Sequence, residues 1–423
     1  MSEPMTLAER HFPNSWQRVR LLNVASVNPE TLPETTDPDF TFKYIDIAAV
    51  SGNGVINLPE QLVSFSEAPS RARRIVQPGD ILVSTVRTYL RAIARVTDEG
   101  CIASTGFAVI RAGNSVDGDF LYWWLRSHPF VEQVVAQSVG VSYPAINASA
   151  LAHFTVPLPS LEVQRIIAER ISTESATIDE LIAEQERQRA LLFYRRTAFL
   201  KYMVCGRFAA VAPNELAPYW LGPVPTDWGT YKVGATFRTG SGTTPQSTNP
   251  DFYGGAHPWV NTSELRECVV SQTGKTVTDL ALNEHTSLAF YEPGSLVIAM
   301  YGATIGRLGL LGIRATVNQA CCVLHSPTAV RTKFAFYWFW AHQAEIASMG
   351  QGGGQPNINQ EMIRGLRIPA PAVEEQDRIV SVVEAELTEM DRLASEMTHQ
   401  IALLHERRRA FIEMAITGQL EVA

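Results

Sequence analysis

Residues 144–206 align without a gap on residues 356–418, an offset of 212, with 21 identities over 63 positions. Unrelated chains of ordinary composition match at roughly one position in seventeen. One third identity therefore marks a duplicated unit, and the fold must be one that can be built twice. The matches are not apolar filler. They include Pro157/Pro369, Pro159/Pro371, Glu162/Glu374, Gln164/Gln376, Asp179/Asp391, Arg195/Arg407, Arg196/Arg408 and Gly206/Gly418. Upstream, with small gaps, Pro13 and Trp16 match Pro225 and Trp228, and Pro78-Gly79-Asp80 parallels Pro293-Gly294-Ser295. Tyr122-Trp123 parallels Tyr337-Trp338 at an offset of 215.

The order is globular unit, long helix, globular unit, long helix, with boundaries at 1–155, 156–210, 211–368 and 369–423. At 423 residues the chain exceeds one ordinary core, which agrees with two heads. The heads read as mixed α/β and β-rich. Apolar runs at 81–86 and 296–300 each follow a Pro-Gly turn and read as strands. Residues 229–255, dense in Gly, Thr, Ser and Pro, read as loops. The aromatic runs at 122–124 and 336–340 read as short buried helices whose rings fill a core rather than stack on bases. The fold class is α+β.

Between Pro159 and Gly206, and between Pro371 and Gly418, neither Pro nor Gly occurs. A helix of about 45 residues would be roughly 70 Å long, too long to stand alone. Positions 167, 171, 178, 181, 192 and 199 carry Ile, Ile, Ile, Leu, Leu and Phe, and their mates carry Ile, Val, Met, Leu, Leu and Phe. That stripe predicts a coiled coil. Parallel pairing in register would set Glu174 on Glu386 and Arg195 on Arg407. Antiparallel pairing sets Glu174 near Arg407 or Arg408 and Arg195 near Glu386. Buried like charges are costly, so the expectation is an antiparallel coiled coil with the heads at opposite ends, related by a pseudo-two-fold axis.

Enzyme chemistry appears only in fragments. Gly274-Lys275-Thr276 resembles the end of a phosphate-binding loop, but Val269 stands where its leading glycine belongs. Asn249-Pro250-Asp251-Phe252 looks like an amino-methyltransferase motif, yet no glycine-rich methyl-donor loop accompanies it, so a turn is the better reading. The nine histidines have no metal-ligand spacing, and no metal is expected. No apolar run approaches the roughly 20 residues of a membrane span. The polar start MSEPMTLAER is no signal peptide, and five cysteines without a CxxC pair suit a reducing cytoplasm.

Basic residues do cluster. Arg71, Arg73, Arg74, Arg87, Arg91 and Arg95 fall within 25 residues around Tyr89, a pattern that can neutralise phosphates or read guanine edges. In the second head Arg238, Ser241, Thr243, Thr244 and Gln246 occupy a glycine-rich segment, and Tyr301, Thr304 and Arg307 another, where short donors on mobile backbone would suit groove contact. The net charge of −8 leaves neither head basic overall, so a strong clamp on nucleic acid should come from partners.

The repeated pattern Pro157-Leu158-Pro159-Ser160-Leu161-Glu162-Val163-Gln164 and Pro369-Ala370-Pro371-Ala372-Val373-Glu374-Glu375-Gln376 resembles the specificity subunit of type I restriction–modification enzymes. So do Gly302-Ala303-Thr304-Ile305-Gly306-Arg307, Asn318-Gln319-Ala320, Ser104-Thr105-Gly106-Phe107 and Val86-Arg87-Thr88-Tyr89-Leu90-Arg91. The resemblance implies a non-catalytic reader of double-stranded DNA, each head a target-recognition domain for half of a split, asymmetric site. It implies that the paired helices act as a spacer and dock two methyltransferase subunits, which recruit restriction subunits. No cofactor belongs to this chain, and S-adenosylmethionine and adenine-N6 chemistry belong to the methyltransferase partners. A coiled-coil scaffold or a self-contained methyltransferase are the alternatives. The first leaves two dissimilar loop-rich heads unexplained, and the second needs a methyl-donor fold of about 200 residues that the chain lacks.

Overall fold

The computed structural model describes residues 12–140, 144–212, 221–350 and 357–420; the N-terminal decapeptide and Pro356, where the second repeat copy opens, lie outside the described residues. Two compact units form, Met1–Gln185 with His399–Ala423, and Glu186–Thr398. Each takes part of both long helices.

In the first unit, strands Ala25–Val27, Phe107–Ala112, Ile81–Ser84 and Ile93–Arg95 form an antiparallel sheet in that order. The buried strand Ile81–Ser84 serves two cores. Ile81 and Val83 join Phe120, Trp124 and Ile167 on one face, and Leu82 joins Phe107 and Val109 on the other, as the two-residue period of a strand requires. Strands Val63–Ser64, Thr41–Ile45, Cys101–Ser104 and Ala72–Val76 form a second sheet. Gln17–Arg20 pairs with Thr155–Leu158 just before the helix Leu161–Val204.

The second unit repeats the plan. Its main sheet runs Arg238–Gly240, Cys321–His325, Leu296–Ala299, Leu308–Leu311, Cys268–Val270. Gly229–Lys232 pairs with Arg367–Ala370 before the helix Val373–Ile416. Both long helices span 44 residues, at the repeat offset of 212.

The shared polar residues now have physical roles. Gln164 is buried, donates to the Pro159 carbonyl at 2.8 Å and accepts from Asp117 N–H at 2.7 Å. Gln376 donates to the Pro371 and Ala329 carbonyls at 2.9 Å and accepts from Arg331 N–H at 2.8 Å. Asp117 and Arg331 stand at the N-cap positions of the helices Gly118–Arg126 and Thr332–Ala341. Each glutamine thus joins the start of a long helix to the start of a domain helix, and an apolar residue would strand both groups. Gly206 and Gly418 adopt φ of 62° and 72°, with no room for a side chain beside Pro225 and Trp228 in one unit and Pro13 and Trp16 in the other.

Within each unit the long helices run antiparallel. In the second, moving from Arg189 to Arg195 carries the partner back from Thr398 to Glu386. Arg195 Nη2 lies 2.9 Å from Glu386, and Arg196 2.8 Å from Asp391. In the first, the repeat-equivalent groups are reversed in origin: Arg407 Nη2 lies 2.6 Å from Glu174, and Arg408 pairs with Asp179. The seam charges are not buried, however, for the Arg195 and Arg407 side chains are 69% and 64% exposed. Such pairs contribute about 0–1 kcal/mol each. Pairing direction therefore rests on the apolar residues, with Ile167, Ile171 and Ile178 buried in one unit and Ile379, Val383 and Met390 in the other.

Two further expectations are corrected. Residues 229–255 hold strands Gly229–Lys232 and Arg238–Gly240, the short helix Val233–Thr236 and the start of strand Tyr253–Val260. A β-carbon at Gly242 would run into the Val317 carbonyl, and one at Gly255 into the Val277 carbonyl. Close backbone approach, not mobility, explains those glycines. Capping also aligns Asp117 with Arg331, so Trp124 matches Trp338 and Trp123 matches Tyr337, one residue from the sequence alignment. Trp124 and Trp338 are both fully buried, and Trp16–Phe120 and Trp228–Phe334 are equivalent edge-on pairs.

Candidate nucleic-acid interface

The central strand of each main sheet leads into a one-turn 3-10 helix, Thr88–Leu90 in the first unit and Gly302–Thr304 in the second. The frames match closely. Ser84 N–H donates to the Ala92 carbonyl at 3.0 Å, and Ala299 N–H to the Arg307 carbonyl at 2.8 Å. Bridges tie Val86 to Ala145 and Tyr301 to Asn357. Left-handed residues bracket both turns, Arg87 (φ 48°) and Arg91 (φ 53°) in the first, Gly302 (66°) and Gly306 (79°) in the second. Equivalent frames thus display different side chains.

In the first unit the turn is pinned by Thr88, buried and 2.8 Å from Ser138 Oγ, and by Arg87 N–H donating to the Pro144 carbonyl at 2.8 Å. Around that anchor Arg87, Tyr89, Leu90 and Arg91 are exposed, Tyr89 at 54%. Leu90 was not expected, and nothing in its neighbours' chemistry marks it. The remaining arginines each meet a partner of their own. Arg71 lies 3.4 Å from Asp46, and Arg73 stacks its guanidinium 4.5 Å from the Phe65 ring centre. Arg74 donates to Thr31 Oγ1 at 3.2 Å, and burial pulls it below the ordinary guanidinium value. Arg95 pairs with Asp119 over the Tyr122 ring. Arg71 is linked to the strand before the turn by backbone bonds, since its carbonyl accepts from Thr105 N–H while the Gly106 carbonyl accepts from Thr85 N–H.

In the second unit Tyr301, Thr304 and Arg307 lie on the equivalent turn, with Tyr301 and Arg307 exposed. Thr304 Oγ1 donates back to the Tyr301 carbonyl at 3.1 Å. The glycine-rich segment is held rather than mobile. Ser241 Oγ donates to the Cys321 carbonyl at 2.8 Å, Thr244 donates to Gln319 Oε1, and the Thr243 carbonyl accepts from Trp259 Nε1 at 3.2 Å. Gln246 and Arg238 are exposed. Burial, reinforced by the charge of Arg238, holds His325 below its ordinary value. Met300 N–H donates to the Ala320 carbonyl at 2.8 Å, which places the turn and the Ser241–Gln319 contacts at the same end of the sheet's strands.

The fragmentary enzyme motifs are structural. Gly274 N–H donates to Glu264 Oε1 at 2.5 Å, where a phosphate would have to compete with a carboxylate. Asn249 caps its own turn by accepting from Asp251 N–H at 3.1 Å, and Phe252 is buried. Among the described residues no group of three or more His, Cys, Asp and Glu is placed to hold a metal, and no helix is long and apolar enough to cross a membrane.

The model of the type I restriction modification DNA specificity domain matches twice, over residues 13–189 and 225–401. The putative type I restriction enzyme MjaX specificity subunit of Methanocaldococcus jannaschii is 24% identical over 81% of this chain and 79% of its own. The EcoKI specificity subunit of Escherichia coli K12 is 21% identical over 86% of this chain and 78% of its own. Matches to the MjaIX and MjaVIII subunits span under half of those chains, 44% and 43%. Among solved structures, a chain from a study of type I R-M assembly and conformational transition superposes with a TM-score of 0.75 at 24% identity, covering 97% of this chain and all of that one. The HsdS subunit of Thermoanaerobacter tengcongensis gives 0.61 at 24% identity, covering 98% of this chain and all of its own. Both are likenesses of fold. The duplicated domain, matched over most of the chain, settles the family: this chain belongs to the type I restriction–modification DNA specificity family.

Proposed function

We propose that this chain is the non-catalytic DNA-reading subunit of a type I restriction–modification complex, in which each domain recognises one half of a split, asymmetric site in double-stranded DNA. The carrying observation is a shared frame with unlike displays: Arg87-Thr88-Tyr89-Leu90-Arg91 in one unit, Gly302-Ala303-Thr304-Ile305-Gly306 in the other. Equivalent backbone with divergent exposed side chains suits two readers of different half-sites. Arg87, Tyr89, Arg91 and Arg71 are the contacts of the first domain. Tyr301, Arg307, Arg238 and Gln246 are those of the second, with Ser241, Thr243 and Thr244 shaping the loop.

The long helices set the spacing and dock two adenine methyltransferase subunits, through which restriction subunits join. S-adenosylmethionine binds in those partners, and the target adenine is flipped out of the duplex into their pockets. A cytoplasmic setting belongs to the same reading. The test mixes the purified chain with its candidate methyltransferase on genomic DNA and maps methyladenine. Methylation at a split motif only when both proteins are present is expected. Methylation by the partner alone at the same motif would refute the assignment.

A further inference from the structure

In the first unit a cavity of about 560 Å³ opens between the Gly118–Arg126 helix, the Thr88–Leu90 turn and the end of the second long helix. Arg91, Arg126, Arg408 and Arg409 line it with His128, and Glu413 is its one acidic lining residue. Arg408 is balanced by Asp179. The Arg126 guanidinium meets no carboxylate among the described residues; it donates to Tyr122 Oη at 2.6 Å and lies over the Tyr122 and Trp123 rings. Arg409 is exposed. Arg91, Arg126 and Arg409 together outnumber Glu413, which leaves the concavity net positive and favours an anion there.

The second unit carries different residues at the equivalent positions. By the repeat, Arg126 corresponds to Trp340, Arg409 to Thr197 and Arg91 to Gly306. Trp340 stacks on Tyr337 and is covered by the Arg196 guanidinium at 4.6 Å. Where the first domain carries the Arg126 guanidinium, the second carries an indole.

We infer that this cavity binds a backbone phosphate of the DNA beside the first half-site, giving that domain a sequence-independent hold which the second lacks. The inference rests on the DNA-reading proposal. Continuity favours phosphate over a partner's acidic segment, because Arg91 belongs both to the cavity wall and to the exposed turn. Guanidinium forks match phosphate oxygens bidentately, and the stacked aromatic faces hold Arg126 in place for that contact.

The test uses the full chain assembled with its methyltransferase, on duplexes bearing its mapped site. Arg126→Trp and Arg409→Thr install the residues of the second unit, and Arg409 is an exposed helix position whose replacement leaves the core untouched. Each variant should melt like the wild type and keep its base preference. Each should also make the salt dependence of binding shallower by about one unit, so that affinity falls about threefold less between about 50 and about 200 mM salt. A neutral methylphosphonate at one position beside the first half-site should reproduce that loss in the wild type and add nothing in the variants. Unchanged slopes in both variants would overturn the cavity assignment while leaving the DNA-reading proposal standing. Variants that bind DNA normally but assemble with less methyltransferase would overturn it in favour of an acidic partner. A wild-type complex without site-specific binding would remove the underlying proposal itself.

Discussion

Arg87 and Arg91 hold φ of 48° and 53°, a region costly for any residue with a β-carbon, where the sister domain places Gly302 and Gly306. Two arginines in that conformation imply that their side chains matter more than local comfort. Arg87→Gly and Arg91→Gly should therefore leave thermal melting unchanged or raise stability by less than about 1 kcal/mol, since glycine's unfolded-state freedom offsets much of the relieved strain. Arg→Ala at either position keeps the strain and should not stabilise. Both replacements should lose the same DNA contact, about 1–3 kcal/mol at one base pair if the arginine reads a base, or a uniform weakening if it holds a phosphate. Only the first half-site should respond. Stabilised glycine variants with intact half-site preference would show the turn to be a scaffold feature.

The paired helices invite a charge-reversal test at the scale of the element. Glu174→Arg confronts Arg407 with a like charge, and Arg407→Glu added to it restores an opposite pair. Because the arginine is largely exposed, the coupling in a urea-unfolding double-mutant cycle should be about 0.2–1 kcal/mol, and Arg195 with Glu386 should behave alike. Strict additivity would sever the pairing. In the second unit the end of the first long helix carries a different device. Cys205 Sγ lies 3.4 Å from His342 Nε2, and His342 Nδ1 lies 2.8 Å from the Trp338 carbonyl. Burial pushes the thiol up to about 11 and the imidazole down to about 4. Folding thus prefers neutral His342, while the unfolded chain takes up a proton below about pH 6.5. Stability is complete above that pH and is lost as pH falls toward 4, by roughly 3 kcal/mol in all. Melting temperature should drop across that window, and His342→Gln should flatten the drop. An unchanged slope in the variant would assign the acid sensitivity elsewhere.

How much of this was legible from the sequence depended on whether neighbours in the chain were also neighbours in space. The duplication, the helix bounds near Pro159 and Gly206, and the antiparallel sense lie in linear patterns that repeat. Misreadings came from contacts made at a distance. Gly242 looked mobile because the Val317 carbonyl that crowds it is invisible in the local sequence. The contacts of Arg73 with Phe65 and of Arg74 with Thr31 are equally invisible there, because those partners are not adjacent in the chain. The Arg126 and Arg409 cavity left no linear signal at all.

For the molecule as a whole, the unit boundaries at Gln185 and Thr398 fall beside repeat-equivalent positions, since the mate of Gln185 is Met397. If the helices gauge the distance between half-sites, a matched insertion of four residues, about one turn or roughly 6 Å, after Gln185 and after Met397 should lengthen the accepted spacer. Insertion in one helix alone should instead upset the pairing and lower stability. Full methylation at an unchanged spacer by the doubly extended protein would refute the gauge.

Ala415 and Ile416 are buried with Phe120 and Trp124, and Gly418 sits against Pro13 and Trp16. On the ribosome, then, the first domain to be made cannot be the first to finish. Its core waits for residues 399–420 while the whole second unit is synthesised, a delay of roughly 10–40 s at ordinary elongation rates. During that interval the nascent domain presents an open apolar face. A chain stalled before residue 399 should be captured by chaperones and cut by protease in its first domain, and the full-length chain should not.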